Sequence, residues 1–192
     1  MGPMLYTGTH TTWLGDVTIC SDGDVLRGLW FNGQRHYMEG FADTEVREIP
    51  FFDDVREWVD SYLAGCNPTV PPYAFPDASV FRDAVWHRLE RIPYGQIVTY
   101  GEIASELSEA WGRPVSARAV GGAVGMNPLS MVVPCHRVVG SGGRLTGYAG
   151  GLDRKRALLE IEGVTLWGLS QITQRQSGNR SESRQPISRA NR

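Results

Sequence analysis

The sequence predicts an α+β protein, in which a small sheet with one helix precedes a mostly helical region. Three observations lead to this class. Alternating strand-like segments flank Ser21-Asp-Gly-Asp24, and an Asp-Gly pair in that setting is typical of a hairpin. Apolar residues recur at helical spacing after Pro50. Two short helix-like segments joined by a tight turn follow Thr99, a pattern that favours a helix-turn-helix.

The first unit is predicted to be an α+β domain over residues 1–65. Strands are expected at 16–20 and 25–31, and a helix begins after Pro50 and stops at Gly65, a residue type that favours helix ends. The segment 66–79 contains four prolines, which suits a stiff linker. A domain boundary is therefore expected there.

The second unit is predicted to span 80–169. A helix at 80–91 comes first, and Thr99 with Glu102 then forms a capping box that opens a helix through about Glu109. Ser116 caps a second helix at 117–124. The remaining segment, 170–192, is polar, arginine-rich and without periodicity, so we expect it to be disordered.

Composition excludes several classes. The 192 residues are 41% hydrophobic and 21% charged, no stretch approaches the roughly 18 apolar residues that span a bilayer, and no secretory signal opens the chain. Cys20, Cys66 and Cys135 are too scattered for a disulfide framework or a zinc site. We expect a cytoplasmic protein without membrane contact, metal or cofactor, with Cys20 and Cys66 as ordinary core or surface thiols.

Charge is distributed unevenly along the chain. Four arginines and twelve acidic residues precede position 80, whereas ten basic and eight acidic residues occupy 80–169 and five arginines and one acid follow. Phosphate is attracted by locally basic surface and repelled by acidic surface. The second unit is thus the expected contact for nucleic acid, although charge also varies between domains for other reasons.

The second predicted helix of the helix-turn-helix has almost no side-chain bulk. Glycine inside a helix costs roughly 1 kcal/mol relative to alanine, so its use here indicates that a partner comes close to the backbone. Tight packing within the domain would also explain the alanines, but not an arginine at the open end, Arg118. The small residues are Ala117, Ala119, Gly121, Gly122 and Ala123.

The strongest chemical signal is a thiol beside an imidazole, Cys135 and His136, between apolar runs and after Pro134. A thiol reacts as its thiolate, and a nearby imidazole is the usual means of producing one near neutral pH. By itself this pair is weak evidence for catalysis, because most buried cysteines are inert.

Five blocks in order carry a resemblance to a known family: 97–101 (IVTYG), 117–122 (ARAVGG), 127–128 (NP), 133–138 (VPCHRV) and 146–151 (TGYAGG). Over about residues 80–163 the chain resembles the O6-alkylguanine-DNA alkyltransferases. The first unit is similar to that family's variable N-terminal domain, which implies a ribonuclease H-like sheet and helix. The resemblance implies a monomer that binds the minor groove of double-stranded DNA, flips out an alkylated guanine, and moves the alkyl group irreversibly to a cysteine; O4-alkylthymine is a further expected substrate.

The resemblance also assigns roles. Cys135 would be the acceptor, His136 the base acting through a water, and Glu162 the acid that orients the histidine. Tyr100 would press on the lesion's phosphate and protonate the leaving guanine, and Asn127 would brace the turn between the motifs. Arg118 would fill the gap left by the base, with Ala117, Gly121 and Gly122 allowing close approach to DNA.

Val138, Tyr148 and Ala149 would form the pocket. Ala149 stands where many members have serine, so only its backbone amide is left for the guanine oxygen. The turn at 108–115 is also longer than in typical members.

Two other functions compete with alkyl transfer. A noncatalytic lesion-binding relative would lack the acceptor cysteine, whereas Cys135 is present. A Cys-His hydrolase would need an oxyanion site and would leave the helix-turn-helix and Arg118 without a purpose. The sequence favours the single-turnover alkyltransferase over both.

Overall fold

A computed structural model describes residues 4–165, so the predicted disordered tail, 170–192, lies outside the described residues. Within this part the architecture is mixed α+β, which confirms the predicted class. The elements are β1 (Leu5–His10), β2 (Val17–Ser21), β3 (Leu26–Phe31), β4 (Thr44–Val46), α1 (Phe51–Leu63), α2 (Val80–Leu89), β5 (Val98–Thr99), α3 (Tyr100–Trp111), α4 (Ala117–Gly125), β6 (Val138–Val139) and α5 (Leu152–Ile161).

The N-terminal sheet has strand order β3-β2-β1-β4. The predicted hairpin joins β2 to β3, and its turn is held by Asp22 Oδ1, which accepts from the amides of Asp24 and Val25 at 3.1 and 3.0 Å. Strands β1 and β4 were not predicted. In β1, Gly8 leaves room for the Phe52 ring of α1, since a Cβ there would lie 2.6 Å from that ring. Helix α1 therefore packs closely against the sheet at Gly8.

Helix α1 forms because its apolar residues fall on one face. Phe52, Val55 and Val59 are fully buried, while Asp53 and Asp54 lie in the first turn, where the helix dipole favours acids. The chain leaves the helix just before Gly65, as predicted, with Gly65 at φ +88°.

One continuous apolar core joins the two predicted units, with Phe31 and Val55 in the same cluster as Trp86 and Leu158. The backbone of Leu29 also bonds the segment before Cys135: its amide donates to Pro128 O, and its carbonyl accepts from the Ser130 amide, both at 2.8 Å. Strand β3 thus anchors the segment that leads to the thiol.

Helices α3 and α4 pack together and are joined by residues 112–116. Both predicted caps are confirmed: Thr99 and Glu102 form a complete capping box, and the Ser116 hydroxyl accepts from the Ala119 amide at 3.1 Å. Helix α3 runs two residues past its predicted end at Glu109, because Trp111 packs edge-on against Phe81 of α2. Part of the turn predicted at 108–115 is therefore helical.

Candidate active site

Cys135 begins a short 3-10 turn, Cys135–Arg137, and its residue surface is only 4% exposed. Asn127 Nδ2 donates to Cys135 Sγ at 3.1 Å and to the Val133 carbonyl at 2.9 Å. Asn127 Oδ1 accepts from the Leu129 amide at 3.0 Å. One buried amide therefore fixes both the loop and the sulfur.

The thiol opens onto a cavity of about 700 Å³ between α3, α4 and the loop before α5. Many of the predicted site residues line it, and Arg35 from the N-terminal unit lines it as well. The lining includes Cys135, Tyr100, Ala117, Arg118, Gly121, Tyr148 and Ala149.

Two of the residues predicted for the pocket or for DNA contact do not line this cavity. Val138 was expected in the pocket, but it is fully buried and pairs with Val98 in the β5–β6 ladder, which holds it behind the wall. Gly122 lies on the exposed side of α4, where a Cβ would meet nothing within 4 Å. The pocket role of Val138 and the DNA contact of Gly122 therefore stay predictions.

His136 belongs to a buried hydrogen-bond network behind the thiol. Its Nε2 lies 2.8 Å from Glu162 Oε1 and 3.0 Å from the hydroxyl of Tyr62, which donates to the same carboxylate oxygen at 2.5 Å. No group within residues 4–165 hydrogen-bonds the other ring nitrogen, Nδ1. A carboxylate only accepts hydrogen bonds, so the arrangement places the ring proton on Nε2 and leaves the Nδ1 lone pair free.

The Glu162 carboxylate is the centre of that network. Arg137 donates to it through Nε at 2.8 Å and a terminal nitrogen at 2.8 Å, and the Gly95 amide donates at 3.1 Å. Burial alone would raise the pKa of Glu162, but bonds from His136, Arg137 and Tyr62 outweigh it and hold that pKa well below its usual value. Glu162 is therefore an anion at neutral pH.

Burial sets the protonation states of the thiol and the imidazole. It raises the pKa of Cys135, which the Asn127 bond and the Lys155 charge only partly offset, and it lowers the pKa of His136 despite Glu162. At neutral pH a protonated thiol therefore lies beside a neutral imidazole. Such a thiol is unreactive until a base removes its proton.

Two side chains hold the carbonyls of the cavity loop. The Tyr100 hydroxyl donates to Thr146 O and Gly147 O at 3.2 and 3.1 Å. Lys155 Nζ, fully buried in α5, donates to the same two carbonyls at 2.8 and 3.0 Å and to Val138 O. Burial, with a smaller contribution from the Cys135 charge, raises the pKa of Tyr100 to about 12, so this phenol stays a proton donor.

Lys155 gives a testable pH dependence. Burial lowers its pKa from 10.5 to about 8, so between these values the unfolded chain binds more protons and the unfolding free energy contributed by Lys155 rises with pH. We expect the wild-type minus Lys155→Met difference in unfolding free energy to rise by up to about 3 kcal/mol from pH 8 to 10.5. Urea titrations across this range measure it.

The exposed Arg156 of the same helix provides the control for this experiment. The corresponding difference for Arg156→Met should stay flat over the same pH range. A flat Lys155→Met difference would show that Lys155 keeps an ordinary pKa.

The structure brings Cys135, His136, Glu162, Tyr100 and Asn127 into one region, and adds residues that the sequence did not single out. Tyr62 lies on the buried face of α1, where helical spacing alone indicates packing. Lys155 lies in a mostly polar helix, so its sequence gave no sign of burial. Arg137 was noted only as part of a motif. The additional residues are Tyr62, Lys155, Arg137 and Arg35.

Fold and site together describe a mixed α+β protein with a buried thiol at the wall of a cavity, bonded by Asn127 and next to the His136–Glu162 pair. Among residues 4–165, no group of three or more His, Cys, Asp or Glu residues is placed to hold a metal ion. Nor does any helix in this part of the chain have the length and apolar character to cross a membrane.

Comparison with known proteins identifies the family. The family described as 6-O-methylguanine DNA methyltransferase, DNA binding domain, matches residues 80–164. Methylated-DNA–protein-cysteine methyltransferases are 36% identical over 159 residues in Methanosarcina acetivorans (83% of this chain, 99% of the relative) and 56% identical over 149 residues in Mycolicibacterium paratuberculosis (78% and 87%). The crystal structure of Mycobacterium tuberculosis OGT in complex with DNA superposes with a TM-score of 0.69 at 37% identity, covering 83% of this chain and 92% of that one. The chain belongs to the methylated-DNA–protein-cysteine methyltransferase family.

Proposed function

We propose that this protein repairs alkylated DNA directly, by moving the alkyl group of O6-alkylguanine, and of O4-alkylthymine, to the sulfur of Cys135. The observation that carries the proposal is a buried thiol, bonded by Asn127, at the wall of a cavity that also contains Tyr100 and Arg118. The names of its relatives support the same reaction.

His136 is the proposed base. Its Nε2 is bonded to Glu162 and Tyr62, so Nδ1 is the nitrogen that takes the Cys135 proton, through a water. The thiolate then attacks the alkyl carbon; the new S–C bond forms as the C–O6 bond breaks. Asn127 Nδ2 donates to the sulfur and stabilises its negative charge.

Tyr100 supplies the proton for the departing guanine. With its pKa raised to about 12 by burial, the phenol is protonated at neutral pH and suited to general-acid catalysis. The product is a thioether, which water does not hydrolyse. Each molecule therefore repairs one lesion and is consumed.

DNA is held, we propose, by α3 and α4 acting as a helix-turn-helix on the minor groove. Ala117, Gly121 and Gly122 let the α4 backbone approach the duplex, and Arg118 takes the place of the flipped base. Extrusion is required because the reacting atom is inaccessible inside a stacked duplex. Tyr148 walls the pocket and the Ala149 amide binds the guanine oxygen.

The finer organisation belongs to the same proposal. We place a ribonuclease H-like domain at 1–65, a linker at 66–79 and the DNA-binding, alkyl-accepting domain at 80–169. The protein would act as a cytoplasmic monomer without a cofactor. A purely lesion-binding role is disfavoured, because it has no use for the thiol and its base.

Mass spectrometry tests the reaction. After incubation with a duplex that carries one O6-methylguanine, we expect one added methyl on the Cys135 peptide and never more than one repaired lesion per protein. The other cysteines are internal controls: Cys66 is exposed, and Cys20 is buried with its pKa raised to about 12 by burial and Asp22. Methyl on either of these, or turnover beyond one, would contradict the proposal.

A further inference from the structure

A tyrosine of the N-terminal unit takes part in the buried network behind the thiol. Tyr62 lies near the end of α1, 74 residues before His136 in sequence, yet its hydroxyl is 3.0 Å from His136 Nε2 and 2.5 Å from Glu162 Oε1. The residue is 2% exposed. A structural role alone, filling the core, would not need a hydroxyl at this point.

We propose that Tyr62 is a positioning residue for thiol activation: by bridging His136 and Glu162, its hydroxyl sets the orientation and basicity of the imidazole that deprotonates Cys135. The proposal rests on the proposed roles of Cys135 and His136. It gives the N-terminal unit a direct part in the chemistry.

The direction of the effect follows from the donors on Glu162. The hydroxyl has a single proton and donates it to the carboxylate, which also accepts from His136, Arg137 and the Gly95 amide. Each donor spreads the negative charge and makes the carboxylate a weaker partner for a protonated imidazole. Removing the Tyr62 hydroxyl leaves Glu162 more basic, so His136 becomes easier to protonate.

The other charges near His136 are unchanged by that substitution. Arg137, in the same turn, and Lys155, on α5, both disfavour the imidazolium, and Glu162 is the acid that favours it. Tyr94, whose ring packs edge-on against Tyr62 at 6.2 Å, donates to the backbone carbonyls of Gly65 and Ile161 and not to the network.

Tyr62→Phe and Tyr94→Phe form a matched pair for the experiment. The Tyr62 ring, stacked on Trp58 at 5.3 Å, is retained in the variant, so thermal melting and binding to unmodified duplex should stay close to wild type. Single-turnover methyl transfer from an O6-methylguanine duplex is then measured from pH 5 to 8. For Tyr62→Phe we expect the acid limb of the pH–rate profile, where the rate falls as His136 is protonated, to move up by about 0.5–1 pH unit. The rate at pH 7 should fall about tenfold. Tyr94→Phe should keep the wild-type pH–rate profile.

An acid limb unchanged in Tyr62→Phe, at whatever rate, overturns the proposal, and so does an equal shift in both variants, which would indicate a general packing effect. Should Tyr62→Phe melt below the assay temperature, ¹⁵N spectra of histidine in the unmodified protein decide: a neutral His136 protonated on Nε2 is expected, and a proton on Nδ1 refutes the role of the bridge. Detection of the methyl group on Cys135 by mass spectrometry separates the role of Tyr62 from the proposed function itself. Methyl on Cys135 in every variant with wild-type kinetics sinks the role of Tyr62 alone, whereas a wild-type Cys135 that gains no methyl sinks the proposed function.

Discussion

Replacing Cys135 with alanine should abolish methyl transfer and leave recognition of the lesion intact. The substitution removes the nucleophile, and no other thiol between residues 4 and 165 lines the cavity. The fold should tolerate it, because Asn127 Nδ2 keeps its bonds to the carbonyls of Leu129 and Val133 when the sulfur is gone. Single-turnover transfer and fluorescence anisotropy with the same O6-methylguanine duplex measure the two properties.

We expect no detectable transfer by Cys135→Ala and a Kd within about threefold of wild type, a difference of less than 1 kcal/mol. The variant would then act as a lesion-binding protein, the very alternative that the intact thiol disfavours. Cys66→Ala, at an exposed position, should behave as wild type in both assays. Stoichiometric repair by Cys135→Ala would show that the acceptor lies elsewhere.

Local signals in the sequence predicted much of the scaffold. The hairpin at Asp22 and Gly23, the capping box of Thr99 with Glu102 and the cap at Ser116 depend on residues two or three apart, and the structure confirms all three. Strands β1 and β4 were missed because Gly8 weakens the strand signal of β1 and β4 has only three residues.

The support of the site was less accessible to sequence reasoning. Tyr62 meets His136 and Glu162 only after the N-terminal unit has docked, and no spacing in the chain encodes a pair 74 residues apart. The residues on either side of Lys155 in α5 are both arginines. Only the fold therefore reveals that Lys155 is fully buried and donates to the carbonyls of the cavity loop. Partners that depend on tertiary packing leave no periodic signal.

These long-range partners suggest why the acidic N-terminal unit is present. Strand β3 bonds the segment before Cys135, Arg35 lines the cavity while its amide donates to Ala149 O at 3.0 Å, and Arg154 of α5 donates to Leu14 O at 3.0 Å. With Tyr62, these contacts join the N-terminal unit to the segments that hold the site. The N-terminal unit thus supports the reacting groups, whereas α4 provides the surface proposed for DNA.

Arg118 at that surface should matter for duplex DNA and not for the chemistry. It is exposed near the start of α4 and lines the cavity rim, and its side chain forms no hydrogen bond or ion pair with another residue between 4 and 165. Removing a base from the stack costs a few kcal/mol, and an inserted side chain offsets part of that cost. Arg118→Ala should therefore slow transfer from a duplex by about 30–100-fold, equivalent to 2–3 kcal/mol.

Transfer from free O6-methylguanine or O6-benzylguanine should stay within about twofold of wild type for Arg118→Ala, because no base has to be flipped. Arg113→Ala removes the same charge from the connection before α4, where Arg113 lies over the Trp111 ring. That control should weaken binding to modified and unmodified duplexes alike, and less at high salt, as expected for a general phosphate attraction. Equal slowing of duplex and free-base reactions by Arg118→Ala would instead place Arg118 in support of the pocket, and the side chain that replaces the flipped base would have to be sought elsewhere on α4 or its flanking loops.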